Sequence, residues 1–133
     1  MDGSESISNA QLKVPSDTEV AYAAWVIVKA KATGVPEGYY VALYDGETLL
    51  EKGSNTEVSY TFPGEFKTTK KITAKIIDDN GNVQKDSDGN DLTATFEVKA
   101  KSGFLDKLRA FFMRILKSYR GLFWFKPVIV EPK

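Results

Sequence analysis

The chain has 133 residues, no cysteine and no histidine, and its 18 basic side chains balance 18 acidic ones. Those absences exclude disulfides and thiolate chemistry, and they remove the commonest general base and the commonest metal ligand. With 42% hydrophobic and 12% aromatic residues the chain should fold around a real core, and no apolar run is long enough for a membrane-spanning helix.

The zero net charge hides a division. Residues 1–100 carry 10 basic and 16 acidic side chains, a balance of −6, whereas residues 101–133 carry 8 and 2, a balance of +6. An acidic body and a basic tail attract one another. The split favours docking of the tail on its own domain or a neighbouring copy, and equally on an anionic membrane. It disfavours nucleic acid, because the body would repel phosphate. The opening MDGSES has neither a positive n-region nor an apolar h-region. The expectation is therefore either a cytoplasmic protein or a chain whose Met1 follows a removed signal.

Residues 1–9 are polar and expected to be loose. Ala10 to Val14 reads as a first edge strand ended by Pro15. Val20 to Ala32 reads as one long strand with Val20, Tyr22, Ala24, Val26, Val28 and Ala30 on its inner face. On its outer face Lys29 and Lys31 suit solvent, but Ala21, Ala23, Trp25 and Ile27 want a cover. After the turn at 34–38, Tyr39, Val41 and Leu43 point inward, and Tyr40, Ala42 and Tyr44 point outward. Asp45-Gly46 is a hairpin signal leading into Thr48 to Glu51. Val58, Tyr60 and Phe62 face inward on the next strand, which Pro63-Gly64 breaks. Phe66 to Ile77 is a long strand with Ile72, Ala74 and Ile76 inside. Two acidic turns follow, at 78–81 and 88–90. In the strand after them Leu92, Ala94, Phe96, Val98 and Ala100 alternate with polar residues. Short strands divided by turn signals predict an all-β antiparallel sandwich over residues 10–100.

Residues 60–98 resemble immunoglobulin-like modules of prokaryotic surface and secreted proteins, especially the polycystic-kidney-disease (PKD-type) repeat. The similar residues are Tyr60-x-Phe62-x-Gly64-x-Phe66, the run Ile72 to Asn82, and Ala94-Thr95-Phe96-Glu97-Val98. Upstream, Tyr44-Asp45-Gly46 keeps only part of that family's Gly-Asp-Gly turn. The resemblance implies an immunoglobulin-like β-sandwich of about seven strands, a non-catalytic spacer or adhesion role, and an extracellular or cell-surface location. It implies no ligand.

The stretch from Ser102 to Phe125 changes period. It holds all three arginines and five of the eight phenylalanines. At 100° per residue, Phe104, Leu105, Leu108, Phe111, Phe112, Ile115, Leu116 and Tyr119 occupy one arc of roughly 140°. Arg109, Arg114, Lys117 and Arg120 lie on the opposite arc with Asp106. Ser102 can cap the start and Gly121 is a natural stop. The spacing predicts an amphipathic helix within 101–121, roughly 27 Å long, followed by an apolar, extended tail over 122–133. Phe123 and Trp124 extend the apolar contact surface, and residues 128–130 suit a short strand. The helix is expected to act as a packing or partner-contact element, with the sheet face at Trp25 and Ile27 as its proposed seat. The contact is expected to be with protein, either self or a neighbouring domain. An anionic membrane surface is the alternative, through the basic residues.

No catalytic residues emerge. The acids lie in turns and on outer faces, with no paired carboxylates in a cleft, no partnered nucleophile and no phosphate loop. The chain is read as a non-enzyme without cofactor. An EF-hand aligned on Gly81 or Gly89 puts Ile76 at its first or Thr95 at its last ligand position, so neither fits. A looser cation site would draw on Asp78, Asp79, Asp86 and Asp88, although Asp, Asn and Gly serve turn geometry equally well. Tyr40 and Tyr44, about 13 Å apart on one strand face, form the candidate platform of a sugar-binding module, with a glycan as the partner.

Overall fold

In the computed structural model, residues 10–85, 89, 92–101, 103–117 and 127–132 are described, and among them nine strands and one helix are formed. The four-stranded sheet runs β1 (Gln11–Lys13), β3 (Val26–Thr33), β6 (Glu57–Thr61), with β9 (Val128–Val130) also paired to β3. The five-stranded sheet runs β2 (Thr18–Val20), β8 (Thr93–Ala100), β7 (Lys70–Asp78), β4 (Tyr39–Asp45), β5 (Thr48–Lys52). Pairing is antiparallel throughout except at β2–β8 and β3–β9. The architecture is an all-β sandwich with one helix, as the patterning predicts, and it is immunoglobulin-like, as the resemblance implies.

Period-two patterning puts one set of side chains from each sheet into the shared interior. Val26, Val28, Val41, Leu43, Ile72, Ile76, Phe96 and Val98 are fully buried there. Each such aliphatic or aromatic side chain contributes about 1.5–3 kcal/mol by leaving water. Among the described residues no polar or charged residue is buried, so the sheets are held by apolar contact and by their backbone ladders.

The expected long strand from Val20 to Ala32 is two strands in different sheets. β2 pairs with β8, and β3 pairs with β6. The chain crosses between them at residues 21–25, where Ala23 takes a left-handed conformation with φ 65°. That bend is pinned by the Ala23 N–H to the Phe66 carbonyl at 2.8 Å and the Phe66 N–H to the Ala24 carbonyl at 2.8 Å. Even-numbered Val20, Val26, Val28 and Ala30 are nevertheless all buried, because both strands face the same interior. Phe66 accordingly belongs to this crossing, and the strand expected from Phe66 begins only at Lys70.

A second crossing joins β5 to β6. A Cβ on Gly53 would collide with the Glu57 carbonyl oxygen and lie 2.7 Å from the Val58 Cα. Only glycine lets the backbone pass this closely. The Gly53 N–H reaches the Val41 carbonyl at 2.8 Å and the Ser54 N–H the Glu57 carbonyl at 2.9 Å, which closes the corner.

The C-terminal segment returns to the sandwich. β9 lies parallel to β3 with Val26, Ile27 and Val28 opposite Val128, Ile129 and Val130, and Val130 is buried in the core. The sandwich therefore does not end at residue 100. The helix α1 (Phe104–Lys117) is a connection between β8 of one sheet and β9 of the other.

Candidate functional site

α1 spans 14 residues, about 21 Å. It lies within the predicted span 101–121, and residues 118–126 lie outside the described part of the chain. So do Tyr119, Arg120, Phe123 and Trp124, together with the side chains of Leu116 and Lys117.

Three residues at i, i+3 and i+7 mark the side of the helix turned to the body. The Lys107 ammonium sits 5.9 Å from the Tyr22 ring centroid. Ala110 is buried. The Arg114 guanidinium donates to the Glu65 carboxylate at 3.2 Å, and Glu65 also pairs with Lys67 at 3.4 Å. These polar links are half-exposed and individually weak; they orient the helix more than they stabilise it.

The apolar arc points elsewhere. Phe104 and Leu105 are 77% and 75% exposed, and Phe111, Phe112, Ile115 and Leu108 are also exposed. By helical geometry the centre of this arc is turned roughly 120° from the stripe through Lys107, Ala110 and Arg114. A surface helix ordinarily turns its apolar stripe to the core; here the small and charged side does so. On the outer face of β3, the expected seat of the arc, Trp25 is 45% exposed. Ile27 is half-buried in the sheet between Thr61 and Ile129. The orientation follows from the contacts on the other side of the helix, where Lys107, Ala110 and Arg114 meet the body. Arg109 is exposed.

The outer face of the five-stranded sheet carries Tyr40 and Tyr44 on β4, as expected. Each has a lysine over its ring: Lys52 at 4.5 Å from the Tyr40 centroid and Lys75 at 4.4 Å from that of Tyr44. The ring face each lysine covers is closed to a sugar. The Tyr40 hydroxyl donates to Asp79, and this bond to a carboxylate, with its charge, holds the phenol above its ordinary pKa. Between the tyrosines, Ala42 is fully buried although it lies on the outward side. Thr73 and Thr95 hydrogen-bond across β7 and β8 at 3.1 Å.

The first acidic turn is used by the backbone. Asp78 Oδ1 accepts from the N–H groups of Asn80 and Asn82, both at 2.9 Å, and Oδ2 from the Asn82 amide at 3.3 Å. The Asn82 N–H, the largest cause, lowers the Asp78 pKa below the ordinary carboxylate value. The folded state thus favours ionised Asp78. Its contribution is complete above the unfolded carboxylate range, near 4, and is lost as pH falls through the lowered folded value. The stability gap between the native chain and Asp78→Asn, read from urea midpoints, should be widest at neutral pH and narrow below about pH 4. A gap that stays constant with pH would contradict this assignment. Asp79 accepts from Tyr40; Asp86 and Asp88 lie outside the described residues, and among the described residues no three acidic groups are grouped to hold a metal.

Sequence reasoning did not identify a cleft of about 290 Å³ at the side of the sandwich, lined in part by Leu50, Tyr60, Phe62 and Phe66. Phe62 meets Tyr60 and Phe66 edge to face, each with centroids 5.1 Å apart. The Lys70–Asp45 pair, 3.8 Å apart, and Glu65 stand on its rim, so the helix is latched at the mouth of this cleft. The signal is present as Tyr60-x-Phe62-x-Gly64-x-Phe66, but period two places Tyr60 and Phe62 in the interior.

No family model matches the chain. No curated protein matches it either. Among solved structures it is similar to the CARDB domain of a Pyrococcus furiosus protein, at 16% identity and a TM-score of 0.50, over 72% of this chain and 97% of that one. It is also similar to the fibronectin(III)-like modules of Clostridium thermocellum CbhA, at 15% identity and a TM-score of 0.45, over 69% and 95% respectively. At these identities the likeness is one of fold.

Proposed function

We propose that the chain is a non-catalytic contact module of the PKD-type, immunoglobulin-like kind used in surface and secreted proteins, and that α1 is its contact element. The observation that carries this reading is the inverted helix: its charged and small side rests on the body, while Phe104, Leu105, Leu108, Phe111, Phe112 and Ile115 are exposed. Exposing apolar side chains along one arc is costly in water, and contiguous patches of this kind mark interaction surfaces. The composition supports the non-catalytic part, since histidine and cysteine are absent. The sandwich supplies a body on which the helix rests through Lys107, Ala110 and Arg114.

The test is Phe111→Asp in the full chain. If the arc serves an external partner, the urea midpoint of the isolated variant should match that of the parent to within about 0.5 kcal/mol. A loss of about 2 kcal/mol or more would mean that the arc packs on its own body, and the contact-element reading would fall.

A further inference from the structure

We propose that the occupant of the exposed arc is the headgroup region of an anionic lipid bilayer, a proposal that rests on the reading of α1 as a contact element. The argument starts from the borders of the arc. Arg109 lies about 40° beyond Leu105 and is exposed. Lys101, also exposed, precedes the helix. An apolar arc with Arg109 on its border and Lys101 before its start fits an interface where phenylalanine and leucine enter the acyl boundary and long basic side chains reach up to phosphate.

The same charge argues against a second copy. Pairing two α1 arcs face to face would bring two helices of net positive charge together, and like charges there repel. The acidic body completes the argument. With −6 on residues 1–100 and +6 on residues 101–133, an anionic surface attracts the helix and repels the sandwich. The module would therefore stand on the bilayer helix-first, held by the Arg114–Glu65 link and by the strands at both ends of the connection.

The experiment is flotation of the full chain with vesicles of phosphatidylcholine alone and of phosphatidylcholine with phosphatidylglycerol, accompanied by its mass in solution from light scattering. Binding to the anionic vesicles only, weakened between about 0.1 M and about 0.5 M NaCl, is expected. Arg109→Gln should lower the partition coefficient about fivefold, and Phe111→Ser should lower it further, both with unchanged circular dichroism. Absence of binding to anionic vesicles overturns the proposal. If the chain then forms a dimer that Phe111→Ser dissociates, the arc belongs to a second copy, and the contact-element reading survives without the lipid. If it stays monomeric and Phe111→Asp also destabilises the body, both fall. Equal binding to both vesicle types, insensitive to salt, overturns the charge argument and with it the proposal.

Discussion

Phe96→Ala should cost about 3–5 kcal/mol of stability, a third or more of what a domain of this size has. Phe96 is 1% exposed and stands on β8, the strand between β2 and β7. Its register partner is Ile72, fully buried itself. Removing the ring deletes the largest fully buried side chain of the interior and leaves a cavity that two hydrogen-bonded sheets cannot collapse to fill. Urea unfolding followed by tryptophan fluorescence would measure it. A cost under about 1 kcal/mol would mean that the sheets do not close over this position.

Val130→Asp should be nearly as damaging, and Ile129→Asp should not. β9 has only three residues, yet Val130 is 3% exposed and part of the core, while its neighbour Ile129 is 48% exposed. A carboxylate at Val130 has no partner and must be dragged out or protonated, at a cost of several kcal/mol. At Ile129 it meets water, and the change should stay near 1 kcal/mol or below. The contrast between adjacent positions tests whether the C-terminal segment is a strand of the sheet, because a free tail would tolerate both charges equally. It also fixes how the helix must be studied. Cutting the chain after Ala100 removes β9 along with α1, so the loss of the helix cannot be read from that truncation; substitutions within α1 are needed.

The structure gives α1 an orientation that its sequence pattern alone leaves open. Arg114 and Glu65 lie 49 residues apart, and their contact, with Lys107 near Tyr22, decides which side of the helix meets the body. A charge reversal at Glu65 would bear only on this orientation, since the pair is half-exposed and contributes little to folding.

Alternation by itself determined that this chain is a sandwich and which side chains fill it. Val26, Val28, Val41, Leu43, Ile72, Ile76, Phe96 and Val98 were all assigned inward by period two, and all are buried, because facing depends on backbone pleat and water and not on partners. The same logic places an amphipathic helix with an apolar arc within 101–121, where α1 runs from Phe104 to Lys117. What alternation lacks is any record of which strand lies beside which. The division of 20–32 between two sheets, the left-handed turn at Ala23, the close approach at Gly53 and the return of residues 128–130 to β3 all rest on hydrogen bonds between distant segments. The direction of the helix was decided in the same way. Periodicity locates the apolar arc on the cylinder, but the contacts of Lys107, Ala110 and Arg114 with the body decide which side of the cylinder faces it.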